Sequence, residues 1–166
     1  MGMDLTNKHG DYFRFGLTAW HKMLDLAAMH GWEPAGTLMP EHWTDPDYDW
    51  PEWGGGYTTN EYQRVTAEDA AALADALESA LDDLPDVETA NKMTDRVPAT
   101  GDGPLFGLHK MLREIAEAAG ENPEEAYTAI MPDADLSPVD FYSGAEHKDK
   151  LRAFIAYCRD GEFNIG

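Results

Sequence analysis

Apolar residues recur at helical spacing in several stretches of the chain. Leu17, Trp20, Leu24 and Ala27 or Ala28 share one face of a helix predicted over about 17–30, and Gly31 stands where a C-terminal cap would sit. A second helix is predicted from Thr66 as N-cap, with Asp69 at the third position, through Leu84, and Pro85 ends it. Leu73, Leu77, Leu81 and Leu84 form its apolar stripe. Pro104 suits the first turn of a third helix ending near Gly120, with Leu105, Leu108, Leu112, Ile115 and Ala119 on one face. A short helix follows from Asn122-Pro123 through Ile130. Ser143 with Glu146 reads as a capping box for a last helix, in which Leu151, Phe154, Ile155 and Cys158 face inward until Gly161.

Between these helices the pattern changes. Tyr12-Phe13-Arg14-Phe15 alternates like a short strand, and the tail Glu162 to Ile165 is expected to pair with it. Pro34, Pro40, Pro46, Pro51 and the run Gly54-Gly55-Gly56 break regular structure, so 32–64 reads as an aromatic and acidic loop region with a short hairpin around 56–65. Residues 85–103 read as a linker or surface loop. The expected fold class is mainly α: one domain spanning 1–166, built of four to five helices. The variant of that class is α+β, with a small sheet from the two termini and the 56–65 segment.

Charge adds what periodicity cannot. The chain has 32 acidic and 12 basic side chains, and residues 31–90 hold 15 Asp and Glu with Arg64 as their only base, which is −14 of the net −20. Such a surface repels anions, so direct nucleic-acid binding is disfavoured, and it attracts cations and basic proteins. A protein of a high-salt cytoplasm also carries excess acid to stay hydrated. The clustering in 31–90 fits that explanation less well than an even spread would. Cys158 is the single cysteine. It excludes an intramolecular disulfide and fits a reducing compartment. No stretch approaches the roughly 18 apolar residues of a membrane span, and the first residues lack the basic and apolar stretches of a secretory signal. The expectation is a cytoplasmic protein with no membrane partner.

Motifs that carry chemistry fail in detail. Thr100-Gly101-Asp102-Gly103-Pro104-Leu105-Phe106-Gly107 precedes a helix but has Phe106 at the third glycine position, an acid at 102 and no following Gly-Lys-Ser/Thr, so it is not a phosphate loop. Asp45-Pro46-Asp47-Tyr48-Asp49 alternates oxygen ligands like a calcium loop. Trp50 and Gly56 stand where its glycine and closing glutamate belong. His21 and Asp25 lie one helical turn apart without further metal ligands. Cys158 falls on an apolar stripe, and no serine sits in a Gly-x-Ser-x-Gly context. The expectation is no catalytic residue, no metal and no cofactor.

What remains is an aromatic and acidic constellation. Trp32, Trp43, Tyr48, Trp50, Trp53 and Tyr57 interleave with Glu41, Asp45, Asp47, Asp49 and Glu52. Aromatic faces attract cations, and carboxylates nearby suit them to lysine, arginine or a quaternary amine. A second negative feature is the stripe Glu68, Asp75, Glu78 and Asp82 on the polar back of the second helix, about 21 Å long at 1.5 Å per residue. The competing expectation is that several rings fold back over the helices and that the stripe is solvated surface.

The leading expectation is a non-catalytic protein that engages a basic partner. Trp43, Asp45, Asp47, Tyr48, Asp49, Trp50, Glu52, Trp53, Glu68, Asp75, Glu78 and Asp82 would form the contact surface. In its sharper form the protein is an inhibitor whose acids imitate nucleic-acid charge in a basic groove. The alternatives are a sugar or amine binder, or an enzyme, using the Trp-rich 43–57 segment, and a salt-adapted acidic protein of other role.

Tyr12-Phe13-Arg14-Phe15 followed by Trp20, then Gly31-Trp32-Glu33-Pro34-Ala35-Gly36-Thr37, then Tyr57-Thr58-Thr59-Asn60 leading through Gln63 and Val65 into Asp69-Ala70 and Leu73-Ala74, resembles a group of small acidic bacterial proteins of uncharacterised function. The likeness covers roughly the first half and the tail. It implies no activity, cofactor or catalytic residue.

Overall fold

A computed structural model describes residues 2–44, 47, 49–89 and 136–166. The helices expected over 104–120 and 123–130, most of the 85–103 linker and the glycine-rich piece at 100–107 lie outside them. The described elements are β1 (Gly2–Asn7), β2 (Tyr12–Gly16), α1 (Leu17–Met29), a 3-10 turn (Glu41–Thr44), β3 (Gln63–Val65), α2 (Ala67–Asp83), α3 (Pro138–Phe141), α4 (Ala145–Arg159) and β4 (Phe163–Ile165).

The strands form one antiparallel sheet in the order β2-β1-β4-β3. Leu5 lies opposite both Phe13 and Ile165, and Gln63 also pairs with Ile165, so the two ends of the chain meet at the centre of the sheet. Alternation sorts the side chains into two faces. Met3, Leu5, Phe15, Val65, Phe163 and Ile165 point inward and are buried. Thr6, Tyr12, Arg14, Arg64 and Asn164 point outward and are exposed. The described helices α1 and α4 pack on the inner face: Phe154 of α4 meets Phe15 edge-on at 4.9 Å and Phe163 at 6.2 Å, while Trp20 of α1 meets Phe15 at 5.5 Å. Aromatic pairs at such separations add to the area they bury.

The expected mainly α class is thus corrected to α+β. β1 has two apolar residues, Met3 and Leu5, in a run opened by glycine, too short a pattern to mark a strand by itself. It is held by pairing on both edges, with the adjacent β2 and with β4 more than 150 positions away. The tail does form a strand, but it pairs with β1 and β3, and β1 separates it from Tyr12–Phe15. The expected hairpin over 56–65 is also corrected. Within that segment the structure has only the three-residue β3, which pairs with β4 and meets Leu38 in an isolated bridge at Arg64.

α2 matches its sequence signals closely. The Thr66 hydroxyl accepts from the Asp69 N–H at 3.2 Å, and helical geometry ends at Leu84. Leu73 and Leu77 are fully buried, Leu84 nearly so, and Leu81 partly. Burial of each such leucine is worth about 1.5–3 kcal/mol. Small residues Ala70, Ala74 and Ala80 lie among them, and α2 packs chiefly on α4. At its C-terminus the buried Lys148 of α4 donates to the Leu84 carbonyl at 3.0 Å and to Asp86 at 2.6 Å. A cation here satisfies an orphan carbonyl of the helix end.

Two details of the helices differ from expectation. α1 turns Ala19, Trp20, Met23, Leu26 and Ala27 fully inward, with Leu17 and Leu24 at the edge of that face. The N-cap of α4 is Gly144 at φ +93°, and no side chain caps it. Ser143 is therefore not part of a capping box: its hydroxyl donates to the Asp140 carbonyl at 2.7 Å and accepts from the Thr89 N–H at 3.0 Å.

Candidate functional site

The aromatic constellation divides into two groups with different roles. Trp32 and Tyr57 are buried in the core and converge on Asp69, itself 2% exposed on the first turn of α2. Tyr57 donates to Asp69 Oδ2 at 2.5 Å, and Trp32 Nε1 and the Ala35 N–H donate to Oδ1 at 3.1 and 3.3 Å. The Tyr57 oxygen in turn accepts from the Gly36 N–H at 2.8 Å. Burial first, then the bond to Asp69, push the Tyr57 phenol well above its ordinary value. These rings fold back over the helices.

The second group stands apart from that core. Its base is closed by four hydrogen bonds: the Thr37 N–H donates to the Gly55 carbonyl at 3.0 Å, the Thr37 hydroxyl to the Gly56 carbonyl at 2.8 Å, and Leu38 and Arg64 exchange backbone bonds at 2.8 and 3.1 Å. At this neck Gly36 and Gly55 approach each other with φ of +90° and +67°, a conformation and a spacing that suit residues without Cβ. Above it the Trp53 indole N–H donates to the Thr37 carbonyl at 2.9 Å. Trp53 meets Trp43 edge-on at 4.8 Å, Trp43 stacks on Trp50 at 5.1 Å with planes 16° apart, and His42 stands perpendicular to Trp50 at 5.7 Å.

The result is a run of four rings, Trp53, Trp43, Trp50 and His42. The three tryptophans are half-buried, in contact with one another and outside the hydrophobic core; His42 is exposed. The Trp43 Nε1 donor is enclosed without a hydrogen-bond partner. An unmet buried donor costs about 1–3 kcal/mol. Glu41, Asp47, Asp49 and Glu52 are exposed around it, and among the described residues Glu41, Asp49 and Glu52 form no ion pair. Asp45 and Tyr48, also expected here, lie outside the described residues.

The second expected surface behaves differently. Glu68, Asp75, Glu78 and Asp82 all lie exposed on the back of α2. Arg159 of α4, however, donates to Asp75 at 2.8 Å and to Glu78 at 2.6 Å. One internal cation thus already serves two of the four acids. Cys158 is wholly buried, and desolvation pushes its thiol far up, which removes it as a nucleophile. Among the described residues no three His, Cys, Asp or Glu side chains are grouped to hold a metal, and no helix is long and apolar enough to cross a membrane.

No family model matches this chain, and neither a curated protein nor a solved structure does so.

The sequence reading missed Asp69, His42 and Thr37. Asp69 at the third helical position looks like an ordinary capping acid. The signal for its second role was an acid on the same side of α2 as Leu73 and Ala76–Leu77, where a carboxylate must find partners. His42 and Thr37 carry no pattern of their own.

Proposed function

We propose that this is a non-catalytic, cytoplasmic binding protein that engages a basic partner protein, with the tryptophan run and its acidic rim as the contact surface. The observation that carries the reading is the stacked Trp43 and Trp50 pair, held outside the core on a closed loop and bordered by Glu41, Asp49 and Glu52, which form no ion pair among the described residues. Half-exposed tryptophans in a well-fixed cluster are the residues that dominate protein interfaces. The acids favour fast, salt-sensitive docking of a positive surface. The α2 stripe is the weaker contributor, since Arg159 already pairs with Asp75 and Glu78. A charge-mimicking inhibitor of a nucleic-acid-handling protein remains the sharper form of this proposal, with the loop rather than the helix as its leading edge.

The test is capture of a partner from host lysate at about 0.1 M salt, where surface charges are felt across roughly 10 Å, and at about 0.5 M, where they are screened over a shorter distance. A basic protein held at low salt, weakened at high salt and lost with Trp50→Ala or with Asp49→Asn plus Glu52→Gln supports the reading. Retention unaffected by either variant, or no retention, overturns it. A melting temperature that climbs steeply in molar KCl, with no partner captured, would favour salt adaptation instead.

A further inference from the structure

We propose that the outer edge of β2 is an interface between two copies of this chain, which join their sheets through an antiparallel β2–β2 pair about a two-fold axis at Phe13. The proposal does not depend on the tryptophan run. The two outer strands of the sheet are β3 and β2. The β3 edge is bridged, because Arg64 exchanges backbone bonds with Leu38. The β2 edge is different. On β1 the Asn7 N–H donates to the Asp11 carbonyl at 3.1 Å, on the β2 side, and the Asp4 carbonyl accepts from the Gly166 N–H at 2.8 Å, on the β4 side. Odd residues of β1 thus turn their backbone groups to β2 and even residues to β4. With Leu5 opposite Phe13 and Met3 opposite Phe15, the N–H and C=O of both Tyr12 and Arg14 point off the sheet. No hydrogen bond among the described residues reaches these backbone groups, and both residues are exposed.

Edge strands are commonly kept from pairing by proline or by charges along the edge. β2 has no proline, and its one charged residue, Arg14, is paired with Asp4 of β1 at 3.4 Å. The Tyr12 hydroxyl donates to the same Asp4. Both long side chains therefore reach back over β1 and leave the edge backbone uncovered. The occupant that fits is β2 itself. Placing Tyr12 opposite Arg14 of the second copy, and Arg14 opposite its Tyr12, uses every one of these edge groups and sets Phe13 against Phe13, which is only partly buried in the free chain. Sliding by two residues in one direction brings Arg14 against Arg14, a like-charge pair. Sliding in the other carries Arg14 past the start of the opposing strand. The acidic loop meets the sheet at β3, three strand spacings or roughly 14 Å from β2. The two loops of a dimer thus lie at its far ends, more than a Debye length apart at physiological salt.

The experiment has two arms, both on the full chain. In sedimentation equilibrium from micromolar to millimolar protein, the mass should rise from 18.4 kDa toward twice that value. Arg14→Pro deletes an outward N–H that serves no bond among the described residues, so it should keep the native far-UV spectrum and hold the mass at 18.4 kDa. In the second arm, Tyr12→Cys and Arg14→Cys are mixed under a mild oxidant. Opposed residues of a hydrogen-bonded pair lie about 5.5 Å apart at Cα, within disulfide reach, so the mixture should give the mixed cross-linked dimer. Each variant alone should stay monomeric, since like positions are then offset by two residues along the strands. Cys158 is buried and does not compete. A mass constant at 18.4 kDa up to millimolar protein, or an Arg14→Pro variant that keeps its fold and associates like the wild type, overturns the proposal. So does a mixture that cross-links no faster than either cysteine variant alone. If Arg14→Pro loses the native spectrum, the cysteine pair decides, because both of its positions are exposed.

Discussion

Tyr57 donates a 2.5 Å hydrogen bond to Asp69, and through it a loop more than ten residues away in sequence is fastened to the first turn of α2. The same carboxylate accepts from Trp32 and Ala35, so three separate donors share one buried acid. Remove the acid, and three donors lose their acceptor in a place water does not reach. Remove the phenol, and the other two remain served.

Asp69→Ala should therefore lower unfolding free energy by about 3 kcal/mol, and Tyr57→Phe by about 1 kcal/mol, in urea titrations. The double variant should cost less than the sum of the two. Strict additivity would show that the two side chains do not act through one another.

Lys148 and Asp86 should behave unequally. Lys148 is buried and also serves the Leu84 carbonyl, so Lys148→Ala leaves that carbonyl unmet and should cost about 1–3 kcal/mol. Asp86 is exposed, and the Lys148 hydrogen bond holds its carboxyl below the ordinary 3.8. A depressed folded value means stability present above the unfolded value and lost as pH falls through the folded one. The stability gap between wild type and Asp86→Asn should thus be full at neutral pH and begin to close below about pH 4. A gap that persists at pH 2 would exclude the ion pair as its origin.

At the alkaline end three groups act together. Burial pushes up the phenols of Tyr57 and Tyr157 from 10.0 and the thiol of Cys158 from 9.0. A raised folded value gives stability that is complete below the unfolded value and lost as pH rises. Stability should fall above about pH 9 to 10. Absorbance of tyrosinate should show at least Tyr57 and Tyr157, among seven tyrosines, ionising only with unfolding. In the native state near neutral pH, Cys158 should react with a thiol reagent at least about a hundredfold more slowly than in the urea-unfolded chain. Fast native labelling would contradict its burial.

Arg159→Ala should release Asp75 and Glu78 from their shared cation. The melting temperature should drop slightly at low salt and recover in high salt, as expected of an exposed pair. Capture of a basic partner should be unchanged if the tryptophan loop is the contact surface. A marked gain in capture would move the interface to α2.

α1, α2 and the end of α4 were legible because their signals are local. Thr66, the leucines at 73, 77, 81 and 84, and Pro85 mark α2 without reference to anything else in the chain. The Phe154 to Gly161 pattern does the same for the end of α4. The sheet was not legible as a whole, because its centre is a pairing of residues 5 and 165 that no period reveals. Ser143 carried a valid capping pattern, yet the turn before α4 places Gly144 at the cap, where a positive φ excludes most other residues. The tryptophans could be recognised as a group. Their division between core and surface depended on Asp69, whose place on the apolar side of α2 can be read from the sequence but whose donors, Trp32, Ala35 and Tyr57, cannot.

The neck formed by Thr37, Gly55, Gly56, Leu38 and Arg64 has a consequence for how such a protein can change. Apart from the Trp53 indole bond to the Thr37 carbonyl, the hydrogen bonds that close the loop's base lie at the neck, and the other rings of the proposed contact surface lie above it. Sequence between the two sides of the neck can then be rewritten with little penalty to folding, as in scaffolds whose variable loops are exchanged while the framework stays constant. If the ring run is the contact surface, a lineage carrying this fold could follow a changing target by altering residues 39–52 alone, and a designer could graft a different loop onto the same two stems.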